Sequence, residues 1–189
     1  MASDLADLVT AAKAGDRSAF DDLVRATYAD TYTLAYRLTG NEEDARDVVQ
    51  DAYLRAYKGL RRFRGDAQFS TWLYRITANC AVDLMRARQA RHDQSRAESL
   101  DGAAVELSTD APNPERLSES SEIQRRVAGA MAALSPLERA AFTLRHYEGR
   151  SIDEISRALG LGSSAAKHSV FRAVRKLRAA LEPLRRAAQ

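Results

Sequence analysis

A single cysteine, Cys80, stands among 189 residues. It excludes an internal disulfide and any cysteine-rich zinc site. The three histidines, His92, His146 and His168, are scattered without ligand spacing, so no metal site is expected. Four prolines and nine glycines leave long stretches open to helix. No apolar run approaches the about 18 residues that a membrane-spanning helix needs. The opening MASDLADLVTAAKAGD carries Asp4 and Asp7 where a secretory leader would be basic, so a cytoplasmic location is expected. No strand-like alternation of useful length and no internal repeat appear. There is no phosphate-cradling glycine loop and no nucleophile–base pair, so neither an enzyme nor a cofactor or small-molecule substrate is expected.

What is present is charge, unevenly laid out. The net charge is only +3. From Asn41 to Asp51 there are five acids and one base, Arg46. From Arg55 to Arg91 there are nine bases and two acids. Residues 93–121 hold two bases against seven acids, and residues 122–189 hold thirteen against six. An acidic patch, a basic stretch, an acidic spacer and a basic C-terminal module follow in order. Two basic blocks point to a polyanion partner, with solvated helix faces as the alternative.

Helical spacing and capping signals cover nearly the whole chain. Ser3 is placed to cap a short helix ending near Gly15. A second helix is predicted from about Ser18 to Leu38, its apolar positions being Leu23, Tyr28, Tyr32, Ala35 and Leu38, with Gly40 ending it. Asn41 caps a third, whose first turn holds Glu42, Glu43 and Asp44. Val48, Ala52 and Ala56 form its stripe, widened by Val49, Tyr53 and Tyr57. A turn around Gly65-Asp66 precedes a fourth helix from about Phe69 to His92, with Trp72, Ile76, Val82 and Met85 buried and Cys80 beside them as a small core residue. Residues 93–121 are rich in Ser, Asp, Glu and Pro and hold no aromatic, the composition of a flexible linker. Beyond it, Ser135-Pro136-Leu137-Glu138 and Ser151-Ile152-Asp153-Glu154 are both capping boxes. The fold class is therefore all-α, as two small helical domains joined by an acidic linker: residues 1–92, 93–121 and 122–189.

Three places carry chemistry. The short helix 152–159, the Gly160-Leu161-Gly162 turn and a long helix from about Ser164 to Ala180 read as a helix-turn-helix. On the long helix Ala166, Val170, Ala173, Val174, Leu177 and Leu181 form the apolar stripe. Lys167, His168, Phe171, Arg172, Arg175 and Lys176 fall largely opposite, where long cationic donors suit phosphates and guanine edges; Phe171, the odd member, either touches a thymine methyl or joins the core. In the first domain Asp47, Gln50 and Asp51 share one face of the third helix, which is either a protein-docking face or ordinary solvated surface. Arg61, Arg62, Phe63, Arg64, Phe69 and Trp72 interleave arginine with aromatic rings, as single-stranded nucleic acid requires; Trp72, at helical spacing from Ile76, also suits the core.

The segment DVVQDAY, followed by FRGDAQFSTWLYRITANCAVDLMR and then by ALSPLERAAFTLRHYEGRSIDEISRALGLGSSAAKHSVFRAVRKLR, resembles the bacterial extracytoplasmic-function (ECF) sigma factors. The likeness runs from about Asp16 to Leu184. It implies sigma domain 2, a linker and sigma domain 4. It implies core RNA polymerase as partner through the β′ clamp and the β flap, promoter DNA, and an anti-sigma factor. Asp47, Gln50 and Asp51 map to the family's clamp-binding helix. Arg61, Arg62, Phe63, Arg64 and Phe69, with Arg75, Asn79 and Arg86, map to the region that reads the −10 element as an unstacked strand. Ser164, Lys167, His168, Phe171, Arg172, Arg175 and Lys176 map to the helix that enters the −35 major groove. Arg75 and Ile76 stand where housekeeping sigma factors carry a strand-separating aromatic pair, which implies weaker melting and stricter promoter choice. Ala165, Ala166 and Ser169 depart from the usual start of the recognition helix, so the −35 sequence does not transfer from relatives.

Two other functions fit parts of the pattern. A stand-alone helix-turn-helix regulator would bind duplex DNA without polymerase. A sigma-like decoy would bind an anti-sigma factor and could dispense with the DNA-facing cations that this chain keeps. A flexible linker of 29 residues spans about 30 Å root-mean-square and about 100 Å when extended. The isolated protein is therefore expected to be able to close its domains together, with the polymerase holding them apart.

Overall fold

The computed structural model describes residues 2–65, 67–99 and 119–187. Among these, eight α-helices and no strand are found: α1 (Ala2–Lys13), α2 (Arg17–Thr39), α3 (Glu42–Gly59), α4 (Phe69–Ser99), α5 (Glu119–Ala132), α6 (Pro136–His146), α7 (Ile152–Leu159) and α8 (Ser163–Ala187). A 3₁₀ turn, Leu60–Arg62, follows α3.

Local chemistry sets most boundaries. Asn41 Oδ1 accepts from Asp44 N–H and opens α3. Both capping boxes close in both directions, Ser135 with Glu138 and Ser151 with Glu154. Gly40 and Gly160 end α2 and α7 in the left-handed region, at φ +81° and +62°, where a Cβ would be strained. Three expectations shift. Ser3 lies inside α1. α2 begins at Arg17 rather than at about Ser18, capped by Asp16, which accepts from Ser18 and Ala19 N–H. α4 continues to Ser99, past the expected end near His92, and α5 already begins at Glu119. Residues 100–118 of the predicted linker lie outside the described residues.

The N-terminal bundle packs α2, α3 and α4 together, with α1 laid on α2. Its centre is Leu23, Leu34 and Leu38 from α2, Val48 and Ala52 from α3, and Leu73, Ala78 and Ala81 from α4. The alanines let the helix backbones approach. The buried threonines Thr27, Thr31, Thr39 and Thr77 each donate to the carbonyl four residues back, so none of these four hydroxyls is stranded. Tyr28 and Tyr57, placed by spacing on an apolar stripe or beside one, are about half exposed, as is Tyr36. The rings of Tyr28, Tyr32 and Tyr36 stack in a row along α2, with Tyr32 packed on the core and the outer two turned to solvent. A four-residue step drifts round a straight helix, and over three turns it carries a side chain off the core face.

The C-terminal bundle has one small core between α5, α6 and α8, built from Ala130, Met131, Leu134, Ala173 and Leu177. The other sides of α6 and α7 bring Ala140, Ala141, Leu144, Ile155, Ala158 and Leu159 into the same apolar cluster as the N-terminal bundle. The two modules are thus packed against each other, α2 and α4 against α6 and α7. Polar contacts line this seam. Arg139 donates to Thr39 O at 2.6 Å. Asn79 donates to Ala158 O at 3.0 Å. Arg37 pairs with Glu148, and the Arg150 guanidinium lies 4.5 Å over the Tyr74 ring.

Candidate polymerase and nucleic-acid interfaces

On α3 the inward stripe of Ala45, Val48, Val49, Ala52 and Ala56 forces Asp47 and Gln50 outward. Asp51 is different. It is half-buried and ion-paired with Arg55 at 2.8 Å, and Arg55 also reaches Asp83 on α4 at 3.0 Å. Its carboxylate is therefore anchored as well as presented. Sequence reasoning missed Leu54, which is 51% exposed. It sits seven residues from Asp47, on the same face, and that spacing was the available signal.

Below this face Cys80 is buried, and burial pushes its thiol up to about 12. That fits a small core residue and leaves almost no thiolate at neutral pH.

The loop from the 3₁₀ turn to α4 is held by an aromatic knot. Phe63 meets Trp72 at 4.9 Å between ring centres and Phe69 edge-on at 6.3 Å; Phe69 and Trp72 are 5.8 Å apart. Phe69 is only 4% exposed. As an open stacking platform for a base it is therefore corrected: its ring fills the knot. Lys13 of α1 donates to Phe63 O at 2.8 Å and ties the loop down. Arg61, Arg62 and Arg64 are exposed round this rigid centre, as are Arg75 and Arg86 along α4. Between α1 and the loop lies an open cavity of about 440 Å³, lined by Leu5, Val9, Phe63, Arg64, Gln68 and Phe69 among others. Asn79 is also not open: its Nδ2 is taken by Arg75 O and, across the seam, by Ala158 O.

In the C-terminal module Gly160 reverses the chain, Leu161 N–H bonds Ser156 O, and α8 starts at Ser163. Ala166, Ser169, Ala173 and Leu177 face inward. Ser164, Lys167, His168, Phe171, Arg172, Arg175 and Lys176 all face outward, with Phe171 64% exposed. Two of the seven are tethered. The nearly buried Glu138 of α6 accepts from Arg172 Nε at 3.2 Å and from Lys176 Nζ at 2.7 Å. Burial alone would raise the Glu138 carboxyl; Lys176 and the Ser135 hydrogen bonds outweigh it and hold it below its ordinary value. Nothing in the residue spacing linked positions 34 and 38 residues apart.

A helical bundle followed by a helix-turn-helix with a cationic outer face defines a DNA-reading class of protein. Comparison with known proteins makes the class specific. The Sigma-70 region 2 family model matches residues 23–91, and the Sigma-70, region 4 model matches residues 124–177. Over 184 residues the chain is 35% identical to the RNA polymerase sigma-H factor of Pseudomonas aeruginosa, covering 96% of this chain and 95% of that one. It is 33% identical over 184 residues to the ECF RNA polymerase sigma-E factor of Escherichia coli K12, covering 94% of each. Among solved structures, CnrH in complex with the cytosolic domain of CnrY matches at 26% identity and a TM-score of 0.59, covering 93% of this chain and 96% of that one. The chain belongs to the ECF RNA polymerase sigma factors of the sigma-70 family. Among the described residues no helix is long and apolar enough to cross a membrane, and no group of His, Cys, Asp and Glu could hold a metal.

Proposed function

We propose that α1–α4 act as sigma domain 2 and α5–α8 as sigma domain 4, working with core polymerase in the cytoplasm and leaving all catalysis to it. Asp47, Gln50 and Leu54, backed by the anchored Asp51, dock on the β′ clamp. Arg61, Arg62, Arg64, Arg75 and Arg86 neutralise the backbone of the unstacked −10 strand around the aromatic knot, and the cavity beside Phe63 takes an unstacked base. Ser164, Lys167, His168, Phe171, Arg172 and Arg175 meet the −35 major groove. The β flap holds the second module at the −35 element.

The observation that carries this reading is the outward display of one cationic row on α8 and one acidic and amide face on α3 in the same chain. A stand-alone regulator would have no use for the second. The closed seam adds a corollary. Asn79 reaches the −10 strand only after it releases Ala158 O, so polymerase binding must part the modules. An anti-sigma partner would keep polymerase off the α3 face; the related CnrH forms a complex with the cytosolic domain of CnrY. Run-off transcription with purified core polymerase tests the reading. Initiation at defined promoters only when the chain is added supports it. Promoter binding by the chain alone, with no gain in transcription, would refute it.

A further inference from the structure

Arginine has three nitrogens, and which one is occupied decides what the others can read. Arg172 gives its Nε–H to Glu138 Oε1. Its two terminal nitrogens are left to the outer face, and its side chain is 53% exposed. Guanine O6 and N7 are read by such a pair of parallel N–H donors. The other carboxylate oxygen of Glu138 accepts from Lys176 and from Ser135 N–H. One nearly buried carboxylate thus closes a helix cap on α6 and grips two cations one helical turn apart on α8.

We propose that Glu138 is a positioning and specificity-determining residue for −35 recognition: it fixes Arg172 by Nε so that the terminal nitrogens face base edges, and it draws Lys176 away from the phosphates. This rests on the reading that α8 enters the −35 groove. The charge arithmetic gives it content. A cation bound to a carboxylate contributes little to counterion release, whereas a cation on a phosphate contributes about 0.9 to the salt slope. Glu138 therefore lowers sequence-independent affinity while holding one base-reading arginine rigid.

Glu138→Gln removes the negative charge and one of the two acceptor oxygens. A glutamine has one oxygen, so either the Ser135 cap or the Arg172 bond is lost, and Lys176 loses its counter-charge. The assay uses the full chain bound to core RNA polymerase, with promoter duplexes carrying an intact or a scrambled −35 element, over a salt series. The E138Q protein is expected to steepen the salt slope on the scrambled duplex by about 0.9 for each cation released. Its preference for the intact duplex should fall about fivefold, near the low end for one well-held arginine–base pair. A folded E138Q protein with unchanged slope and unchanged preference overturns the proposal.

A second arm does not depend on E138Q folding. Lys176→Gln should leave the slope as it is, while Arg175→Gln should lower it by about 0.9. If K176Q flattens the slope as much as R175Q does, Lys176 already lies on a phosphate and the proposal is wrong. If R175Q and Lys167→Gln both leave the slope unchanged, α8 is not on the DNA, and the −35 reading falls together with the inference built on it.

Discussion

Replacing Arg139 by methionine should open the seam between the two modules, and the structure sets the size of the effect. The guanidinium donates to Thr39 O, the last residue of α2, at 2.6 Å. It thus caps a carbonyl at the negative end of a helix dipole from a different module. A hydrogen bond from a charged donor contributes about 1.5–3 kcal/mol. Two observations favour the lower half of that range. Burial pulls the Arg139 guanidinium below its ordinary value, although Asp44 opposes this. Its Nε is buried without a hydrogen bond. Methionine keeps most of the stem's packing and leaves Thr39 O unpaired only while the seam is closed. Closure should weaken by about 1.5 kcal/mol, roughly tenfold in the closed-to-open ratio. Arg37→Gln is the internal comparison. Its partner is Glu148 and its side chain is 43% exposed, so at most about 1 kcal/mol is expected. Energy transfer between dyes at the exposed positions Asp21 and Arg178 reads the ratio directly, since buried Cys80 will not label. Helix content measured in parallel keeps opening distinct from unfolding. If Arg139→Met shows the transfer efficiency of the parent, or if Arg37→Gln opens the seam more, the Arg139–Thr39 bond does not hold the modules together.

Asp47→Arg with Gln50→Ala should reduce core polymerase affinity with stability changed by no more than about 0.5 kcal/mol, because both side chains are exposed; native-gel titration beside a urea melt checks both halves. The Cys80 thiol should resist alkylation at pH 8 until the N-terminal bundle unfolds, so its labelling rate should track urea unfolding. Its pKa is raised from 9.0 to about 12 by burial. The stability this confers is complete below about pH 9 and should be lost as pH rises toward 12, which alkaline melts will reveal. Tyr53→Phe should cost about 1 kcal/mol, since the hydroxyl joins Thr27 at 2.9 Å and Thr31 at 3.3 Å; a urea titration reads the loss.

What was legible in the sequence was local. A cap bonds atoms three residues apart, so Asn41, Ser135 and Ser151 could be read from single short windows. The inward set of α8 and the outward display of Asp47 and Gln50 follow from helical period alone. The family likeness lies in the same kind of contiguous string, and so the module order and the sigma reading came with it. The tertiary structure decided what depends on atoms far apart in the chain. Spacing put Phe69 beside arginines, but only the folded loop turns its ring into the knot with Phe63 and Trp72. Spacing gave α8 one row of equivalent cations; packing of α6 on α8 sets Arg172 and Lys176 apart by bringing a buried carboxylate beneath them. Asn79 lies 79 residues from the carbonyl it binds, and Arg139 lies 100 residues from its own. No local pattern encodes such pairs, because a donor's choice among distant acceptors is settled only when burial removes the water that would otherwise satisfy it.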